Sequence, residues 1–207
     1  MPFSGWHDRL LGRPRWDEVA IWALDLETSG LHADTDRILS VGMVPIRSGV
    51  IRYGERFASL VRPPDIGALS TEGLPAHHIL PAELEGAPLL AELLPDIDRR
   101  VREGVLLLHF ASLDIGFLRQ AYRRCAAVWP KPRVVDTVDL VLALHQRRQQ
   151  WVPYAPPPKT ALTEARAAVG LPSHPHHDAL SDALATAELF LALRSQLGLC
   201  TLKSSFR

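Results

Sequence analysis

Two short apolar runs without alternation set the strongest limit on this chain. Val105-Leu106-Leu107-Leu108 and Val19-Ala20-Ile21-Trp22-Ala23-Leu24 offer no polar face to water. A strand of that kind belongs inside a sheet whose two faces are both covered. The segments around them supply the cover. Arg37–Arg47 reads as a second strand, Ser48-Gly49 as a tight turn and Val50–Val61 as a third strand, so the first three strands form an antiparallel meander. Pro45 has no N–H to donate and fits best near an edge or a bulge.

After Arg62-Pro63-Pro64 the pattern changes. Leu69–Leu80 is mixed and reads as one or two short helices. Pro88–Arg102 carries leucines at helical spacing and is stopped by Glu103-Gly104. Val105–Leu108 comes next as a strand, then a helix from about Leu113 to Ala127 with Leu113, Phe117 and Leu118 as its core-facing stripe. Val134-Val135 is a short fifth strand. Asp136 and Thr137 offer N-cap side chains to a helix reaching about Gln150. Four prolines in Trp151–Pro158 force a loop. Thr160–Val169 is helical, 171–177 is a loop, and Asp178–Leu197 is a long final helix. A mixed α/β sheet with helices on both faces results, and in such sheets the strand ends near the central crossover collect ligands. Residues 1–18 form an arm expected to pack on the domain of 19–197, and 198–207 a short basic tail expected to fray.

Charge narrows the function. Lys plus Arg and Asp plus Glu number 23 each, so the chain is not a strongly basic binder that grips long nucleic acid by charge alone. Cys125 and Cys200 lie in expected helices and in no C-x-x-C pair, which suits buried, reduced thiols. The N-terminus lacks a signal-peptide apolar core, and no run approaches the ~18 apolar residues of a membrane span. A cytoplasmic protein with no membrane partner is the expectation.

The chemistry gathers at strand ends. Asp25 and Glu27 close the first strand two residues apart, so their carboxylates share a face and repel when both ionise. A divalent cation relieves that repulsion, and hard oxygen ligands suit magnesium or manganese. A solvated strand end bearing two acids is the alternative. Asp114 sits in the first turn of a helix, where an acid can simply complement the dipole. His177 precedes the final helix and Asp182 lies one turn inside it. His174, His176 and His177 cluster, but their spacing matches no common zinc pattern.

Taken together these residues resemble one family. Asp25-x-Glu27, then His109-x-Ala111-x-x-Asp114-x-x-Phe117-Leu118, then His177-x-Ala179-x-x-Asp182 are similar to the three motifs of the DEDDh 3′→5′ exonucleases, and in particular to the branch containing the proofreading epsilon subunit of bacterial DNA polymerase III. Glu72-Gly73-Leu74, Asp136-Thr137, Ala168-Val169-Gly170-Leu171 and Ala185-Thr186-Ala187 agree with it. The resemblance implies an RNase H-like fold, with a mixed five-stranded sheet in the order 3-2-1-4-5. It implies two Mg2+ or Mn2+ ions held by Asp25, Glu27, Asp114 and Asp182, with His177 as general base. Thr28, Leu31, His109 and Phe110 are the expected substrate contacts, and His174 and His176 are expected to matter little. The implied partners are 3′ ends of single-stranded DNA or RNA. Many relatives carry Asn where this chain has Phe110, and Leu113 replaces a usual Phe, a volume change the core would absorb. Gly116 is expected to let a terminal sugar approach. Trp151 is expected to pack rather than stack, and Arg147 and Arg148 to touch phosphate or solvate a helix end. Gln196-Leu197-Gly198-Leu199-Cys200 loosely resembles a sliding-clamp docking peptide, which would add a clamp or polymerase as partner.

Overall fold

The computed structural model describes residues 15–65, 79–174 and 178–202, and the backbone of 205–206. The catalytic-base candidate His177, His176 and the Glu72-Gly73-Leu74 fragment lie outside the described residues.

One sheet organises the chain. Its strands are β1 (Ile21–Thr28), β2 (Ile38–Arg47), β3 (Val50–Ile51), β4 (Phe57–Leu60), β5 (Val105–Leu108), β6 (Arg133–Asp136) and β7 (Ser205–Phe206). They run in the order β3-β2-β1-β5-β6-β7, with β4 also paired to β2. β1 and β5 are parallel, as are β5 and β6, while β1 and β2 are antiparallel. The expected order 3-2-1-4-5 therefore holds for the five strands read from sequence. Two differences raise their number to seven.

First, the expected third strand is split. Arg52 donates its N–H to the Pro45 carbonyl, but Pro45 has no N–H to return, and the ladder breaks there. A 3-10 turn, Tyr53–Glu55, intervenes, and the register with β2 moves by three residues between β3 and β4. Pro45 thus sits where the outer neighbour of β2 is interrupted, not at an outer edge. Second, the tail adds β7 to the edge of β6 instead of fraying. Arg15 bridges Thr201, and the Trp16 N–H donates to the Cys200 carbonyl, so residues 15–16 and the tail hold each other.

The helices are α1 (Pro81–Leu84), α2 (Leu90–Glu103), α3 (Ala111–Arg124), α4 (Thr137–Gln149), α5 (Leu162–Ala168) and α6 (Ala179–Leu197). Strand alternation divides the core. Trp22, Leu24 and Leu26 pack with Ile97, Ile115 and Phe117 of α2 and α3 on one face. Ile21 and Ala23 pack with Ala183, Ala187 and Phe190 of α6 on the other. The α3 stripe is Ile115, Phe117 and Leu118, whereas Leu113 lies at the surface. Its difference from the relatives' Phe is therefore a surface change rather than a core one. Neither thiol is buried: Cys125 succeeds the last turn of α3 and is half-buried, and Cys200 lies past α6 and is exposed. No helix among the described residues is long and apolar enough to cross a membrane.

Candidate active site

The parallel pairing of β1 with β5 ends at Ala23 opposite Leu107. β1 then runs on to Thr28, leaving its last residues without a strand neighbour on that side. This gap is where the acids meet. Asp25 and Glu27 continue the Ile21–Ala23 face, toward α6, which brings Asp182 from its first turn. Oxygens of Asp25, Glu27 and Asp182 lie within 4.8 Å of one another. Asp114 enters from α3 on the other side of β1 and is 5% exposed.

Crowding and burial show in the titration of the group. Burial holds the Asp25 carboxyl well above the ordinary carboxylate range, and the charges of Asp114, Asp182 and Glu27 add to it. Glu27 is raised to about 7, chiefly by burial and then by Asp182. Asp114 is raised to about 8, chiefly by burial, while hydrogen bonds with its own backbone and that of Leu26 oppose the shift. A cation among these acids would relieve the repulsion that keeps them protonated, and an all-oxygen donor set of this density fits a hard divalent ion.

What lets α6 come so close is Gly42, a residue outside the three motifs. Gly42 pairs with Asp25 across the β1–β2 ladder. A Cβ there would lie 2.2 Å from the backbone carbonyl carbon and oxygen of Ala179 and 2.3 Å from the Leu180 nitrogen. The bare backbone of β2 is thus the seat for the N-terminus of α6, and hence for Asp182. A glycine flanked by Val41 and Met43 within a strand is the one sequence signal of this seat.

Asp136 is a second organiser beyond the expected set. Its Oδ1 accepts the N–H of Val138 at 3.0 Å as the expected α4 cap. The same carboxylate also accepts the N–H groups of Phe110 at 3.2 Å and Ala111 at 2.8 Å. One side chain therefore caps α3 and α4 together and orients the turn that delivers Asp114. His109, expected to contact substrate, is engaged internally. Its Nε2 donates to the Thr160 carbonyl at 2.8 Å, and its Nδ1 lies 2.7 Å from the Thr137 hydroxyl. The Thr137 hydroxyl also reaches the Leu108 carbonyl at 3.1 Å, and burial lowers the His109 pKa, so the ring ties the end of β5 to α4 and to the end of the proline-rich loop.

The remaining expected contacts divide. Leu31 is 73% exposed and Phe110 47%, both open to a ligand. Thr28 turns inward and donates to the Gly30 carbonyl at 2.7 Å. Gly116 faces the Ala33 methyl of the 29–37 loop, which a built Cβ would meet at an ordinary van der Waals distance of 3.7 Å. Phe110 adopts φ 59°, ψ 53°, left-handed backbone that Asn tolerates better than Phe. His174, expected to matter little, lies with Nε2 2.7 Å from Asp182 Oδ1. Arg166, 2% exposed, donates to the carbonyls of Ala185 and Pro172 and pairs with Glu188 at 2.8 Å, fastening the loop that begins at Leu171 to α6.

The RNase T exonuclease family model matches residues 22–190. The chain belongs to this exonuclease family. A Mycobacterium tuberculosis protein named as a bifunctional exonuclease/endonuclease is 32% identical over 187 residues, covering 87% of this chain and 27% of that protein. The DNA polymerase III epsilon subunit of Treponema pallidum is 31% identical over 189 residues, covering 86% of this chain and 77% of the subunit. The chain thus spans a minor part of the first relative and most of the second. Escherichia coli Exonuclease I, solved with a thirteen-nucleotide thymidine oligonucleotide, shares the fold at TM-score 0.72 and 19% identity, over 86% of this chain and 41% of that one.

Proposed function

We propose that this protein is a metal-dependent 3′→5′ exonuclease that removes nucleoside 5′-monophosphates from the 3′ end of single-stranded or frayed DNA, in proofreading or repair. One observation carries the reading: oxygens of Asp25, Glu27 and Asp182 converge within 4.8 Å at the open end of β1, in a chain of an exonuclease family. Asp25, Glu27, Asp114 and Asp182 would hold two Mg2+ or Mn2+ ions. When bound, such a pair supplies a nucleophile at neutral pH and charge stabilisation at the phosphate. Together with the acids it leaves a near-neutral pocket that an anionic strand can enter.

The chain's own groups do the rest. His177 directly precedes Asp178, whose carboxylate caps α6 by accepting the Ser181 N–H at 2.9 Å. A neutral imidazole there takes the proton from the attacking water. Leu31 and Phe110 flank the entrance with exposed apolar surface for a terminal base. Thr28 and His109 act behind this surface by holding the turns that carry it. DNA is preferred as substrate because Asp25–Leu31 resembles the polymerase-linked branch.

The test uses end-labelled single-stranded DNA, a duplex with a mismatched 3′ end, and RNA of the same sequence, with magnesium or manganese. Stepwise shortening from the 3′ end, lost in Asp25→Ala, is the expected result. Cutting of a circular single strand would make the protein an endonuclease. Faster loss of the RNA would reassign it to oligoribonucleotides, and inactivity on all three would leave a polymerase-associated subunit without catalysis.

A further inference from the structure

The proline-rich loop between α4 and α5 behaves unlike a packed connection. Trp151 is 85% exposed, Val152 57% and Tyr154 97%, so the expected packing of Trp151 does not occur. Leaving two large aromatic rings in water forgoes about 1.5–3 kcal/mol of burial for each. The loop is nonetheless ordered at its start: the N–H groups of Trp151 and Val152 both donate to the Arg148 carbonyl, and that of Ala155 to the Val152 carbonyl. Pro153, Pro156, Pro157 and Pro158 stiffen the remainder of the loop.

Charge separates this segment from the rest of a neutral chain. No Asp or Glu occurs between Asp139 and Glu164, while Arg147, Arg148 and Lys159 do. Lys159 pairs with Glu164. Arg147 donates to the Leu197 carbonyl at 2.9 Å, and Arg148 to the side-chain oxygen of Gln196 at 3.0 Å. These two arginines cap the end of α6, and their acceptors are neutral, so their positive charge persists beside the rings. Gln196 and Leu197, the first two residues of the clamp-like stretch, form the end of α6.

The loop also points somewhere. α4 starts at Thr137, against His109, and its thirteen residues carry the chain about 20 Å from there to Trp151. The loop then returns to Thr160, whose carbonyl is bonded to His109. Rings and charge therefore lie along a path that ends beside the acid cluster.

We infer that Trp151 and Tyr154 form a stacking platform for single-stranded nucleic acid, engaging bases several nucleotides upstream of the 3′ end held at the acids. This rests on the exonuclease reading for its orientation but not for its binding. Rings stack on any base, and uncancelled guanidinium groups attract the backbone, so the platform is sequence-tolerant. Short substrates never reach it.

Two measurements test the inference. The first is KM for oligothymidylates of three and twelve nucleotides. Trp151→Ala with Tyr154→Ala should raise KM for the twelve-mer about tenfold, with kcat unchanged, and leave the three-mer within about twofold, consistent with the worth of a stacked base. Trp151→Phe with Tyr154→Phe should stay near the parent. An unchanged KM for the twelve-mer, or an equal rise for the three-mer, overturns the platform; the first would leave the loop to a protein partner. The second is metal-free tryptophan fluorescence titrated with the twelve-mer. Quenching that Trp151→Phe abolishes supports the platform even if no hydrolysis is seen, in which case the exonuclease reading alone fails. Absence of quenching in the parent protein overturns the platform whatever the activity.

Discussion

In metal-free protein, Asp114→Asn should raise thermal stability at alkaline pH and barely change it near pH 4. Asp114 is buried, and its carboxyl is raised from 3.8 to about 8. The folded state therefore keeps a proton that the unfolded chain releases. Stability from this group is fully present below about pH 4 and is lost as pH rises toward 8. Each pH unit inside that window costs up to about 1.4 kcal/mol, so the whole span is worth on the order of 5 kcal/mol. Asparagine has nearly the same shape and no charge, and its oxygen still accepts a backbone N–H. It also removes the largest charge acting on Asp25, whose carboxyl is raised as well. The variant should keep several kcal/mol of what wild type loses by pH 9, or about 10 °C in Tm for a domain of this size. Thermal melts in chelator at pH 5, 7 and 9 read this directly. Added manganese at pH 9 should stabilise wild type far more than Asp114→Asn. A flat wild-type profile, or a variant that declines as steeply, would refute the view that four crowded acids are held in the fold against their own repulsion.

Three other contacts set further expected outcomes. Gly42→Ala should push the N-terminus of α6 off β2, lowering activity at least about a hundredfold with loss of metal affinity; retained metal affinity by calorimetry would show that α6 can seat itself otherwise. Arg166→Met should cost about 3 kcal/mol in urea unfolding by stripping the Ala185 and Pro172 carbonyls and Glu188 of their shared donor, and a value under about 1 kcal/mol would contradict that. His177→Ala should lower turnover roughly 10²–10⁴-fold and erase a rising limb between about pH 6 and 8 while metal binding survives, whereas His174→Ala should weaken metal affinity at least about tenfold through Asp182; reversed effects would exchange the two histidines' roles.

The parts of this protein legible in one dimension are those with local causes. Strand alternation puts Asp25 and Glu27 on one face, continuous apolar runs mark strands covered on both sides, and the three spaced motifs point to the family to which the chain belongs. Helix ends match caps and glycines to within a few residues. Most differences between expectation and fold turn on how far a side chain stands from partners remote in sequence. Leu113 matches a helical stripe yet faces water, and Trp151 is apolar yet exposed, while Thr137 and Thr160, the internal partners of His109, could not be read from its motif. Pro45 breaks a strand other than its own, because a missing donor is felt by the neighbour that needed it. Gly42, unremarkable between Val41 and Met43, becomes decisive only when the backbone of Ala179 is laid on it, 137 residues later in the chain. Sequence alone specified which acids this protein carries and at what spacing. Only the tertiary structure decided that they meet, because close approach belongs to pairs of surfaces, and each surface is a property of the packed fold.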